Sequence, residues 1–241
     1  MKYYSLTFGE AVEKLAEEYN VNIEKSNFKR NENLDRYYEI NKMAAKFFFE
    51  AFTLKSNPGY TYMKKRGISD NIMKKFGIGY ADDGWTSLKD FMLKNGVKEK
   101  ELLDLGLISQ KGERTYDKYR NRVMFPIFNT MGKVIGFGGR ILGDGMPKYL
   151  NSAESMVFKK KNNLYGLNFT KGDIGDKDQV IIVEGYMDLI SLYQYGIKNV
   201  AASLGTALTE NQARLIERYS KNIVLSYDSD NAGISAAIRG I

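Results

Sequence analysis

Four carboxylates, Glu184, Asp188, Asp228 and Asp230, set out the chemistry open to this chain. It contains no histidine and no cysteine, which excludes a His general base, a Ser-His-Asp triad, a His-liganded metal and a thiolate zinc site. Chemistry must therefore run on carboxylates, lysine, tyrosine or a bound metal. Several carboxylates converging without lysine partners nearby in sequence repel one another unless a cation sits among them. Hard oxygen ligands of this kind favour Mg2+ or Mn2+ over zinc. A second reading stands beside this one: surface acids cap helix N-termini, where the macrodipole favours negative charge.

The surrounding pattern says which elements must carry these acids. Val180 to Val183 is a short β-branched run of the kind found in buried parallel strands. Glu184 stands where that strand ends, and Gly185 allows the turn. Tyr186 to Tyr195 then places Met187, Ile190 and Leu192 at roughly helical spacing, with Gly196 as a C-terminal stop. Val200 to Ala202 reads as a second strand, Thr209 to Tyr219 as a helix, and Ile223 to Tyr227 as a third strand ending at Asp228. Strand–helix–strand–helix–strand implies a parallel sheet with right-handed crossovers. Ligands of such sheets bind beyond the carboxyl ends of the strands, where Glu184 and the Asp228/Asp230 pair both fall. Asp188, four residues after Glu184, could face the same way from the first helical turn.

The chain has 241 residues, enough for one large domain or two small ones. Its formal net charge is +7, unevenly spread. From Lys171 onward acids outnumber bases, whereas Lys111 to Lys161 holds 11 basic and 4 acidic side chains. An acidic-edged sheet beside a basic module suits a metal-dependent enzyme acting on a polyanion, although a lysine-rich surface alone gives the same count. The N-terminus carries charges inside any apolar stretch, so no signal peptide is expected. No window reaches the roughly 18 apolar residues of a spanning helix. A soluble cytoplasmic protein without a membrane partner is the expectation.

Earlier in the chain, Thr7 and Glu10 fit a capping box ahead of a helix with Val12, Leu15, Ala16 and Tyr19 on one face. Residues 24–36 read as a charged linker. A longer helix over Leu34 to Lys55 carries Phe47, Phe48 and Phe52 at core spacing and is stopped by Ser56-Asn57-Pro58-Gly59. Ser69 is expected to cap a helix over Asp70 to Phe76, Gly77 to Ala81 to form a strand, and helices to follow over Ser87 to Lys94 and around Glu99 to Leu105. Arg122 to Ile127 and Lys133 to Arg140 read as a strand pair, with Pro126 implying an edge or a bulge. Gly136, Gly138 and Gly139 suggest that another group must approach this backbone closely. No G-x-x-x-x-G-K-[ST] occurs, so a P-loop is set aside.

EGYMD followed by DSD resembles the Toprim signature, and VEGYMDLISLYQYGIKNVAASLGTALT is similar to bacterial replicative primases of the DnaG type. NRVMFPIFNTMGKVIGFGGR, PKYLNSAES and VFKKKNNLYGL extend that resemblance through the basic module, covering residues 6–241. It implies an α/β and α+β fold: a Rossmann-like Toprim parallel sheet at 178–241, preceded by a basic mixed α+β subdomain at 35–177. Residues 1–34 would form an N-terminal helix and linker at the end of the zinc-module region, with no zinc in this fragment. The implied activity is RNA primer synthesis on single-stranded DNA from ribonucleoside triphosphates, by two-metal nucleotidyl transfer with Mg2+ or Mn2+. Glu184, Asp228 and Asp230 would be the catalytic or metal-binding acids and Asp188 a supporting one, with Glu184 either a metal ligand or an acid/base. Arg66, Arg122, Arg140, Lys148, Tyr149, Asn151 and Lys160 match the family's nucleotide- and DNA-binding positions, Tyr149 as a base stacker. Replicative helicase and single-strand-binding protein would be partners through regions not included here. A further acidic cluster of the family lies beyond Ile241, so a fragment of low activity is expected. A Toprim nuclease and a non-catalytic DNA-binding scaffold are the alternatives.

Overall fold

The computed structural model describes residues 16, 18, 19, 32–205 and 207–240. The expected capping box and helix before Asn20 lie almost wholly outside these residues. Residues Arg36–Ile241 form one compact unit.

Helix α1 (Glu32–Thr53) buries Ile40, Ala44, Phe48 and Phe52, one residue per turn on a single face. Phe48 meets Phe137 edge to face, with ring centroids 5.6 Å apart. Asn57 closes α1 and opens α2 (Pro58–Lys65): its Nδ2 donates to the Phe52 carbonyl at 2.8 Å and its Oδ1 accepts from the Tyr60 N–H at 2.8 Å. Pro58 at the first turn loses no helical hydrogen bond there. Helix α3 (Asp70–Lys75) follows Ser69, which makes no side-chain cap bond although its position is the expected one. Strand β1 (Gly79–Ala81), α4 (Ser87–Lys94), α5 (Glu99–Asp104) and the β2 (Ile108–Lys111)–β3 (Arg114–Asp117) hairpin come next.

Strands β4 (Arg122–Phe128), β5 (Val134–Ile141) and β6 (Tyr149–Asn151) complete an antiparallel sheet in the order β1-β4-β5-β6. Pro126 shows how a proline fits a strand with neighbours on both sides. It pairs with Phe137 of β5, but β1 reaches only to Met124, so no β1 residue is paired opposite Pro126. A register shift follows at Ile127/Phe128, so both features expected of that proline, a local edge and an irregularity, occur together.

After a short 3-10 turn at Lys160–Asn162 and helix α6 (Leu167–Lys177), the chain builds β7 (Val180–Val183), α7 (Tyr186–Gln194), β8 (Val200–Ala202), α8 (Glu210–Ile216), β9 (Ile223–Leu225) and α9 (Asn231–Gly240). β7 lies between β8 and β9 and is parallel to both, with Ile182 opposite Ala201 and Leu225. The third strand, Ile223–Leu225, is shorter than its apolar run suggests, although the Ser226 N–H still donates to the Ile182 carbonyl at 2.8 Å. Thr209 opens α8 with a reciprocal cap to Gln212.

The two sheets share a core. Phe125, Ile127 and Ile135 of the antiparallel sheet belong to the same buried cluster as Val183, Met187, Leu189, Ile190 and Ala202. Gln194 at the end of α7 adds a polar clasp, accepting from Ser69 N–H at 2.8 Å and donating to the Gly67 carbonyl at 2.9 Å.

Candidate active site and nucleic-acid interface

Glu184 directly follows β7, and the chain after neighbouring β9 brings Asp228 to it: the Asp228 N–H donates to Glu184 Oε1 at 2.9 Å. The two acids expected at one rim are therefore adjacent. Close approach at this rim needs a residue without a side chain. A Cβ on Gly233 would stand 2.1 Å from the Asp228 carbonyl oxygen and 2.7 Å from Glu184 Oε1. Burial, reinforced by the charge of Glu184, raises the pKa of the nearby Tyr227 phenol.

The other two acids turn towards helix ends. Asp188 Oδ2 accepts from the Gly185 N–H at 3.1 Å, and Asp230 Oδ1 from the Gly233 N–H at 2.7 Å. Capping and a place at the rim are thus combined in the same residues. Among the described residues, no group of three carboxylates is drawn together as a metal cage. The donor set nonetheless suits a hard divalent cation: all-oxygen ligands, with Glu184, Asp188 and Asp230 each using one side-chain oxygen in the bonds just given and Asp228 only its main-chain N–H, and no Lys or Arg ion pair to any of the four among the described residues.

The basic side faces this rim through Tyr186, the buried first residue of α7. Its hydroxyl donates to Asn151 Oδ1 at 2.7 Å, and its ring stacks on Phe125 at 4.9 Å and on Tyr149 at 6.0 Å. Asn151 Nδ2 in turn donates to the Leu204 carbonyl after β8 at 3.4 Å. A Cβ on Gly138 would come within 2.2 Å of the Tyr186 ring and hydroxyl, so at Gly138 the expected close approach is made by the tyrosine of EGYMD, whereas Ser152 approaches Gly136 and Tyr119 and Arg122 approach Gly139. Burial raises the Tyr186 pKa well above its ordinary value, keeping the phenol a proton donor. Nothing in local spacing singles out Tyr186; the signal is joint, a glycine-rich strand and a tyrosine next to a catalytic-type acid.

The remaining expected contacts divide by exposure. Arg66 and Lys148 are exposed, and Tyr149 is 38% exposed. The ionisation of the Tyr149 phenol is opposed first by burial; Tyr62 and Asp188 oppose it further, while Arg140 and Arg66 favour it. This places residues of α2, β5, β6 and α7 around one mouth. Arg140 is half-buried, and Lys160 is half-buried beside Glu154, with burial lowering its pKa. Arg122 lies elsewhere: only 5% exposed, it donates through one nitrogen to the carbonyls of Gly139 at 2.9 Å and Pro147 at 3.0 Å. Its guanidinium ties the β4–β5 pair to the loop that carries Lys148.

A second basic–aromatic surface has no counterpart among the sequence-based expectations. Trp85 is 64% exposed, with the Arg120 guanidinium 4.2 Å from its ring centre and Tyr116 edge-on at 5.6 Å. Trp85 and Tyr116 line a cleft of about 700 Å3 with Lys111 and Arg114. A lone tryptophan after a turn gives little warning in sequence, and the arginine that covers it is 35 positions away in the numbering.

Comparison with known proteins agrees with this architecture. Residues 47–171 match the family described as DNA primase catalytic core, N-terminal domain, and residues 181–241 match the Toprim-like family. A DNA primase of Clostridium acetobutylicum is 51% identical over all of this chain and 41% of its own length, so the chain spans about two-fifths of such relatives. The solved DnaG primase catalytic domain bound to single-stranded DNA is 36% identical, with a TM-score of 0.77 over 86% of this chain and 68% of that one. The Aquifex aeolicus primase structure with zinc-binding and RNA polymerase domains is also 36% identical, with a TM-score of 0.76 over 97% of this chain and 57% of that one. The chain belongs to the DnaG-type DNA primase catalytic-core family.

Proposed function

We propose that this chain is the nucleotide-joining core of a bacterial primase, making short RNA on a single-stranded DNA template. One observation carries the reading: an acidic rim at β7 and β9 is fastened, through Tyr186 and Asn151, to a mouth lined by Arg140, Tyr149 and Arg66. Acids alone would serve many metal enzymes, and a basic sheet alone would serve many DNA-binding proteins. Their attachment across one mouth suits template-directed phosphoryl transfer. The division into a basic subdomain at 35–177 and a Toprim domain at 178–241 belongs to the same reading and is supported by the two family matches.

In this reading a 3′-hydroxyl oxygen attacks an α-phosphorus as the bond to the pyrophosphate oxygen breaks. The reaction rests on positioning and on neutralising charge rather than on covalent catalysis. Arg140, Lys148 and Lys160 hold phosphate oxygens, the arginine as a planar fork and the lysines as point charges. Tyr149, 38% exposed, offers its open side to a base, and the Trp85–Arg120–Tyr116 cluster is a second stacking surface for a single strand. Arg122 positions the loop carrying Lys148. Glu184, Asp228, Asp230 and Asp188 would hold Mg2+ or Mn2+, which when bound neutralises charge on the attacking and leaving oxygens. The cytoplasm is the compartment that fits this role; among the described residues no helix is long and apolar enough to cross a membrane.

Incubation with single-stranded DNA, ribonucleoside triphosphates and Mg2+ tests the reading. New RNA that disappears in Glu184→Gln is the expected result. Shortened DNA would assign the same acids to a nuclease, and binding without either product would leave a scaffold.

A further inference from the structure

Arg140 is gripped by a residue that the primase reading does not use. Its guanidinium lies 4.3 Å from the ring centre of Tyr62 and 6.0 Å from that of Tyr149. One guanidinium nitrogen donates to the Ile141 carbonyl at 2.7 Å, and no carboxylate forms an ion pair with this arginine among the described residues. Tyr62 is half-buried, packed against the main core from α2. The tyrosine on the other side is also anchored, since Tyr149 stacks on the buried Tyr186. The result is a continuous pile of Tyr62, Arg140, Tyr149, Tyr186 and Phe125, running from the mouth into the core.

We infer that Tyr62 is a positioning residue: its ring fixes the plane of the Arg140 guanidinium so that the donors left free point at a phosphate. This rests on the proposed reading that Arg140 contacts nucleic acid or nucleotide. An unrestrained arginine loses rotamer freedom on binding, and the Tyr62 ring face against the guanidinium removes much of that cost beforehand. Arg66 lies four residues beyond Tyr62 on the same short stretch and is also close enough to act on Tyr149 electrostatically. The segment at Tyr62–Arg66 therefore supplies both a clamp for one cation and a second cation. Local sequence hides this, because a tyrosine at that spacing reads as ordinary core.

The test uses the whole chain, a labelled single-stranded DNA oligonucleotide and affinity measured across a range of salt. Each phosphate neutralised on a single strand contributes about 0.7 to the slope of log K against log salt. Arg140→Ala is expected to lower the slope by about that amount. Tyr62→Leu, which removes no charge, is expected to lower it similarly and to weaken binding about five-fold, with little further loss in the double variant. Tyr62→Phe keeps a ring face and is expected to stay within about two-fold of the parent. Pentafluorophenylalanine at position 62 keeps the size and reverses the ring's polarity, so it should reproduce the leucine effect even if the leucine variant folds poorly. Normal slopes for the Leu and pentafluoro variants, alongside a loss for Arg140→Ala, would overturn the inference alone. Unchanged binding by Arg140→Ala would overturn the underlying reading and the inference with it.

Discussion

The two sheets of this molecule hold their working residues in opposite ways. In the antiparallel sheet, β4 is buried along nearly its whole length and β5 along most of it, and the cations are fastened: Arg122 to two carbonyls, Arg140 against the Tyr62 ring. In the parallel sheet the acids sit past the strand ends on turns and first helical turns, held by single main-chain hydrogen bonds. A cation that must select a shape gains from rigidity, whereas ligands of a divalent ion need oxygens free to adjust. In the proposed reading the molecule divides its stiffness accordingly, with Tyr186, bonded to Asn151, joining the two halves.

Four measurements probe the two halves and the joint between them. The largest effect should come from the adjustable side: Glu184→Gln or Asp228→Asn should cut nucleotide incorporation about 1,000-fold, roughly 4 kcal/mol. Binding of single-stranded DNA should stay near that of the parent, and a parallel loss of affinity would argue against separate roles. On the stiff side, Gly138→Ala drives a Cβ into the Tyr186 ring. It should cost about 3 kcal/mol in urea unfolding, as overpacking does when neighbours have nowhere to go.

Third comes a pH effect seated far from the rim. Asp117 is 3% exposed and accepts from the Leu88 and Lys89 N–H groups at 2.7 and 3.0 Å, opening α4 from a distant strand. Burial pushes its carboxyl up to about 6; the two N–H bonds pull it down, and Asp82 and Asp90 push it up further. The folded state thus binds a proton that the unfolded chain, with its ordinary carboxyl, has already released. The stability this group contributes is full below the unfolded value and is lost as pH rises through about 6. Unfolding measured at pH 4.5 and 7 should show wild type losing about 2 kcal/mol more than Asp117→Asn over that interval. Equal losses would remove Asp117 as the source. The smallest change is Tyr186→Phe, which breaks one hydrogen bond and keeps the stack. About 1 kcal/mol of stability is expected, with a larger fall in turnover than in DNA affinity if the hydroxyl aligns the two halves.

Local pattern made some of this legible in advance. The β-branched run at 180–183, the short apolar run at 200–202 and the acids after the first and third strands in sequence place Glu184 and Asp228 together before any coordinates are seen, because parallel strands share their carboxyl ends. Pro126 and the glycines at 136–139 likewise announce an irregularity and a close approach. What stays hidden depends on pairings between distant parts of the chain. Arg122 has the composition of a phosphate contact, yet carbonyls 17 and 25 residues away satisfy it in the interior. For Asp188 and Asp230 the sequence leaves ligand and helix cap both open, and which main-chain N–H groups they cap is settled only once the main chain bends. Tyr62, Trp85 and Tyr186 carry no spacing signal, since each acts through a partner from another element.

The outer border of β9 has a practical consequence. Among the described residues that strand pairs only with β7, and Ile223 and Val224 are 39% and 42% exposed. A bare strand border with apolar side chains is an invitation to a further strand, including one from another molecule. Sedimentation should therefore show self-association growing with concentration, and a lysine in place of Val224 should suppress it without touching nucleotide joining.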